Sequence, residues 1–391
     1  MSTHHRMQPL RVAGALMGAV IALIGVLGGG SGGVGAATPT YTVEALPLPS
    51  GTGYSSMSSL SCPKPAHCVA VGTTSNGALV ETLVDSTWTP TPLNPPGLTE
   101  PELTGVWCAN VTSCIAVGED GSNGSDPQPL IERLSKGTWS VHKARIPTGG
   151  VWGSLTAINC LTITTCVAAG AYGQTTQSSH ALFETLSHGT WKPATTADPA
   201  GSTQVEIDSL QCFSTTSCDA VGRWGPNGSV SNGLLETLSG TAWTASTLQS
   251  GVFLRSLTCT SSTSCLAVGY DSNSDGVSES LAGTTWTSGT LPGLSDGGTG
   301  NGIVGVACPK TVASCVAIGG WRPPPPNQSE PLLLTETLSH GKWTPTEVSA
   351  PNGYMFPEGI ACPSLGTCVG IGTSDAPDGG AEAAVEQPPS S

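Results

Sequence analysis

The chain has 391 residues, of which 38% are hydrophobic and 10% charged, with a formal net charge of −14. That acid excess argues against nucleic acid and anionic membrane as partners, because a phosphate-binding protein needs a basic face. The apolar residues fall in regular runs, which argues against disorder, and the abundance of Gly, Ser and Thr suits short strands joined by turns better than helices.

At the N-terminus, Arg6 and Arg11 precede an apolar run from Val12 to Leu27, followed by a Gly/Ser stretch and the small residues VGAATP. Charge, apolar run and small residues in that order predict a secretory signal over residues 1–37, cut near Ala36 or Ala37. A retained N-terminal anchor is the alternative, since the run borders on spanning length. Either way the expected working place of the folded part is outside the cytoplasm, secreted or at the cell surface.

From residue 62 onward cysteines come in close couples: Cys62/Cys68, Cys108/Cys114, Cys160/Cys166, Cys212/Cys218, Cys259/Cys265, Cys308/Cys315 and Cys362/Cys368. Each couple recurs as a unit and none is left over, which predicts local disulfides in an exported chain. Zinc sites use shorter spacings gathered in fours, so no metal is expected.

Each couple opens a repeat. In the first, Ser59–Cys62 reads as a strand, 63–67 as a turn, Cys68–Val71 as a buried strand, Leu79–Leu83 as a third and Trp88–Leu93 as a fourth. The phrase CVAVG at Cys68 returns with small changes after every second cysteine, and first cysteines stand 46 to 54 residues apart, a spacing that fits propeller blades. Third-strand Glu and fourth-strand Trp keep a separation of seven, as in Glu81/Trp88 and Glu336/Trp343. The last repeat lacks its Trp strand, while Thr40 onward resembles a fourth strand with Tyr41 in the Trp position. The expected fold is therefore all-β, a seven-bladed propeller of four-stranded blades over residues 38–387, closed by the N-terminal strand and followed by a short tail, 388–391.

A carboxylate present in nearly every blade serves the blade, so the repeated Glu is expected to be structural. Binding is expected where the repeats differ, on the face that carries the second-to-third loops and the inter-blade crossings. There Tyr172, Trp224, Tyr270 and Trp321 follow the second strand in four consecutive blades, where other blades have Thr74, Asp120 and Ser374; Arg223 and Arg322 stand beside two of the rings. Such an aromatic arc suits a sugar or an extended peptide, and packing over the blade tops is the competing reading. Asp219 is expected to pair with Arg223, and Asp271 with Asp275 to belong to a solvated turn. No phosphate loop, nucleophile elbow or cofactor motif appears, so no cofactor is expected.

The turns LSKGTW, LSHGTW and LSHGKW resemble the Asp-box hairpin of sialidase-type propellers, with Leu134, Leu186 and Leu338 where that family has its Asp. The whole chain is similar to secreted actinobacterial repeat proteins with paired Cys and the C-x-A-V-G phrase. The resemblance implies export and a propeller, and no particular activity. The expected function is a secreted, monomeric, non-enzymatic module that binds an extracellular glycan or protein through the variable-loop face. The alternative is a sialidase-like or other glycan-acting hydrolase or lyase at the central mouth, which would need Asp120, Arg223, Tyr172 or Asp271 to converge.

Overall fold

The computed structural model describes residues 40–121, 126–175, 177–228, 230–294, 298–324, 332–349, 355–364, 366–374 and 381–387. The expected signal over 1–37, the expected tail 388–391 and parts of three variable loops lie outside the described residues.

Each blade is an antiparallel meander. In the first, strands Ser55–Lys64, His67–Thr74, Gly77–Val84 and Thr87–Leu93 pair in sequence order. They run further than the apolar runs suggest, and the first hairpin turn shrinks to residues 65–66, because strand pairing continues past the cysteines to Lys64↔His67. Six sheets of this kind are uninterrupted stretches of chain: 55–93, 101–143, 152–195, 204–250, 252–290 and 299–348. The remaining four-stranded sheet corrects the picture of seven like repeats. It is assembled from both chain ends, in the order Thr40–Ala45, Ala381–Gln387, Val369–Ser374, Met355–Ala361. Its strands leave Cys362 and Cys368 outside, and Ala384 stands opposite Gly370 where other blades place Glu opposite Ala. Its inner strand Met355–Ala361 lies between those of 299–348 and 55–93, so the ring closes through this composite sheet.

The second strand is apolar throughout because both its faces are covered. Val69 and Val71 pack with Leu103 and Val106 of the next blade, whereas Cys68 and Ala70 pack with Val369 and Ile371 of the sheet on the other side. All four residues Cys68–Val71 are 0% exposed. Polar side chains on the inner strands tie neighbours together: Ser61 Oγ accepts from Cys108 N at 3.1 Å, Asn159 Oδ1 from Cys212 N at 3.1 Å and Ser209 Oγ from Leu257 N at 3.0 Å. The constant Glu–Trp spacing has a local cause. Asp85–Ser86, Lys136–Gly137, His188–Gly189 and His340–Gly341 all have both φ values positive, the two-residue turn whose twist matches a hairpin.

The glycine that ends CVAVG is dictated by the inner strand. In every sheet that strand carries a bulge four residues before the first cysteine, as between Met57 and Ser59 or Ile207 and Ser209. The glycine sits against the bend: a Cβ on Gly72 would lie 1.9 Å from the Ser56 carbonyl oxygen, and one on Gly222 2.0 Å from that of Glu206. Backbone cannot yield as a flexible side chain would. Gly222→Ala should therefore cost about 1–3 kcal/mol, the usual range for overpacking, read as a lower midpoint in chemical denaturation; an unchanged midpoint would remove this explanation of the motif.

The repeated third-strand Glu is buried. Glu81, Glu184, Glu236 and Glu336 are 0% exposed. Glu184 Oε1 accepts from the Arg145 amide at 2.7 Å and Glu279 Oε1 from Ser288 Oγ at 2.7 Å, while among the described residues neither oxygen of Glu81, Glu132 or Glu336 has a hydrogen-bond partner. Burial pushes Glu81, Glu236 and Glu336 up to about 8 and Glu132 and Glu184 up to about 7, so neutral carboxyl groups are the form this interior favours.

All seven expected disulfides are formed, with Cα–Cα distances of 4.0–4.2 Å. They suit an oxidising, extracellular setting. Their place differs from that of a staple at the rim of a loop face. The second cysteine of each couple lies inside the protein: Cys68, Cys114, Cys265 and Cys368 are fully buried, and Cys166, Cys218 and Cys315 nearly so. Cys166 packs with Leu155 and Leu182, Cys218 with Ile207 and Leu238, and Cys315 with Val306 and Leu334, each in an inter-blade core. The cause is the covered second strand, which carries these sulfurs into the packing on its first turnward residue. The second cysteines are therefore part of the scaffold, while the first ones of four couples, Cys62, Cys259, Cys308 and Cys362, remain half-buried. Among the described residues no helix is long and apolar enough to cross a membrane.

Candidate functional site

The inner-strand bulges build the site. A bulge leaves one residue unpaired and re-aims its side chain, and here the unpaired residue turns toward the axis in every sheet. Ser58, Thr104 and Thr156 supply hydroxyls in three consecutive sheets, and Asp208, Arg255, Val304 and Glu358 complete the ring. These seven residues line both a cavity of about 490 Å³ toward the variable-loop end and one of about 220 Å³ toward the disulfide end, so they form the waist of the channel. The larger cavity is further lined by Trp152, Ser154, Gln204, Glu206 and Arg223.

One side of this vestibule holds a continuous ionic network. Arg223 Nη2 and Nε donate to Glu206 Oε2 at 2.5 and 2.7 Å, and Nε stands 3.8 Å from Asp208 Oδ2. From the next blade, Arg255 Nη1 donates to Asp208 Oδ1 at 2.7 Å. Burial pushes the Asp208 carboxyl up, opposed by the two guanidinium groups. Burial also raises Glu358, again opposed by Arg255. Arg223 moves up as well: burial works against its charge, but Asp208 and Glu206 outweigh it. Both arginines keep N–H groups beyond those bonded to the carboxylates, since a guanidinium has five. The other side is already partly engaged, because Thr104 Oγ1 donates to the Leu155 carbonyl at 2.5 Å and Thr156 Oγ1 to that of Ile207 in the following blades.

The aromatic residues read as one arc occupy two different faces. Tyr172, Trp224 and Trp321 come six residues after their second cysteine and pack into inter-blade cores, Trp321 at 2% exposure. Tyr270 comes five residues after its cysteine, and one residue of offset reverses the face of a strand. Its ring stacks on Phe253 at 5.3 Å between centroids and lies within electrostatic reach of Arg223. Tyr172 instead contacts the His180 ring at 5.4 Å, and His180 Nδ1 pairs with Asp198 Oδ2 at 2.5 Å. Arg322 is exposed at the end of its strand, away from the network of Arg223. Of the expected site residues, Arg223 alone lines the axial cavity, with Tyr270 within electrostatic reach of it.

Asp219 does not meet Arg223: it accepts from Thr237 Oγ1 at 3.0 Å, its neighbour on the adjacent strand. Asp120 accepts from the amides of Thr99 and Glu100 and Asp271 from those of Asn273 and Asp275, so both hold turns. The convergence that a hydrolase reading demands is therefore missing. Glu206 and Asp208 share Arg223 on a single strand, and Glu358 lines the same cavity from the composite sheet. Among the described residues no group of three or more His, Cys, Asp or Glu is placed to hold a metal.

Asp208, Arg255 and Glu358 escape a reading based on loops and aromatics. Their signal is a column: the fourth residue before the first cysteine reads Ser, Thr, Thr, Asp, Arg, Val, Glu along the chain.

No protein family matches the sequence, and no curated protein is similar to it at a significant level. Neither the actinobacterial repeat resemblance nor the sialidase one therefore has support from sequence families. Solved structures do match. YCF48 bound to D1 peptide is similar with a TM-score of 0.57 and 15% identity, over 90% of this chain and 96% of that one. The BP39L lectin from Burkholderia pseudomallei gives 0.58 and 13%, over 83% and 94%. The GH74 xyloglucanase from Xanthomonas campestris gives 0.51 and 11%, over 86% and 54%. A peptide-bound protein, a lectin and a glycosidase share one architecture, and at these identities the likeness establishes that architecture alone: the chain is a β-propeller.

Proposed function

We propose that this protein is an extracellular glycan-binding protein that takes its ligand into the axial vestibule at the variable-loop end. The observation that carries the reading is the array Glu206–Arg223–Asp208–Arg255 beside a cavity of about 490 Å³. Sugar hydroxyls donate and accept at once. A row that alternates carboxylates, which accept, with guanidinium groups, which donate, suits vicinal hydroxyls. Trp152, with its Nε1 held by the Thr175 carbonyl at 2.8 Å, supplies a fixed aromatic surface in the same cavity. The volume falls in the range of small-molecule sites, and a flat protein partner could not reach the waist.

A printed glycan array probed with the oxidised protein tests this, run beside Glu206→Gln. The wild type should bind a defined subset of glycans. The variant should bind at least about tenfold more weakly, as expected for a lost hydrogen bond to a charged group, with its melting temperature little changed. Equal binding by the variant would place the ligand elsewhere, and no binding by either protein would turn the search to protein partners.

A further inference from the structure

Resting on that reading, we infer that the vestibule recognises the end of a glycan chain, and that the terminal sugar it accepts is uncharged. Trp152 and Thr156 lie four residues apart on one inner strand and both line the cavity. At about 3.3 Å per residue the waist is roughly 13 Å below the Trp152 level. A polysaccharide lying across the mouth meets Trp152 but leaves Asp208, Arg255 and Glu358 out of reach. A chain entering end-on places its last unit on the waist and the preceding one beside Trp152. Blades on every side exclude a second strand of polymer from the same depth.

The waist also selects by charge. Glu206, Asp208 and Glu358 face only Arg223 and Arg255 in the cavity, and the two guanidinium groups already lean on carboxylates. A terminal uronate or sialate would bring another negative charge to a site that is acidic in sum, whereas a neutral sugar exchanges hydrogen bonds with both kinds of group. Val304, the single apolar member of the ring, offers a surface for the C–H face of that sugar.

The test uses an array in which each neutral oligosaccharide is printed twice, once through its reducing end and once through the opposite end, together with the same chains carrying a terminal acidic sugar. End-on entry predicts binding in one printed orientation only and none to the acid-terminated set. It also predicts that Ser58→Phe, which fills the waist from the blade beside that of Glu358 and across the ring from Asp208 and Arg255, loses at least about tenfold in binding. If Ser58→Phe does not fold, the orientation comparison on the wild type decides alone. Equal binding in both orientations, or a folded Ser58→Phe that binds as the wild type does, would overturn chain-end recognition while leaving glycan binding at the vestibule intact. Preference for acid-terminated chains would overturn the charge selection. A wild type that binds no glycan would overturn the functional reading itself.

Discussion

The protein should melt at a higher temperature at pH 5.5 than at pH 8.5. Glu81, Glu236 and Glu336 are raised by burial to about 8, and Glu132 and Glu184 to about 7. In an unfolded chain such groups titrate near the ordinary Glu value of about 4.3. Between those limits the folded state holds protons that the unfolded state has lost, so stability falls as pH rises through the window. Each group contributes at most about 1.4 kcal/mol per pH unit, and five work in the same direction, enough for a shift of several degrees. The chain's net charge of −14 also favours acid conditions, by reducing self-repulsion. Glu336→Gln separates the two effects. It keeps the shape and overall acidity of the protein but removes one titrating group, and so should flatten the pH slope while raising stability at pH 8.5 relative to pH 5.5. A melting temperature that stays level or climbs toward pH 8.5 would show that these carboxyls are ionised and partnered in the fold.

Reduction of the disulfides should have a larger effect. Each bridge closes a loop of only six or seven residues' separation, worth about 2 kcal/mol by loop-closure entropy. Seven together match the net stability of a whole domain, about 5–15 kcal/mol. Full reduction, verified by titrating fourteen thiols, should lower the melting temperature by roughly 15 °C or more, on the usual scaling between stability and melting point. The bridges of Cys62, Cys259, Cys308 and Cys362, whose first cysteine is only half-buried, should be reduced before those of Cys108, Cys160 and Cys212, in which both cysteines are buried. A fully reduced protein that melts at the original temperature would show that inter-blade packing holds the ring unaided.

Much of this fold is legible in the chain because each blade repeats its instructions. Paired cysteines mark the first hairpin, the unbroken apolar run marks the strand covered on both faces, and the Gly-containing turn before Trp fixes the second hairpin. Tyr41 does stand in the strand that completes the C-terminal sheet, opposite Glu386. The candidate site is harder to see, for a definite reason. A bulge on the inner strand aims Asp208, Arg255 and Glu358 into the channel, and no strand periodicity announces a bulge. Its trace is the constant spacing of Gly222 and its counterparts, since a glycine inside a strand marks a bulge or a close backbone approach. The aromatic arc fails on register: Tyr270 is displaced by one residue from Tyr172, Trp224 and Trp321, which sends it to the opposite face of its strand. Asp219 finds Thr237 because direct cross-strand neighbours are closer than residues four apart along a strand.

The most direct test of the site is a crystal structure of the protein with the glycan that the array selects. A sugar should lie in the vestibule, bounded by Trp152 above and the Asp208–Arg255–Glu358 arc of the waist below, with hydroxyls bonded to Glu206 and Arg223. A sugar bound on the outer loops or in the grooves between blades, with the vestibule holding only solvent, would contradict it.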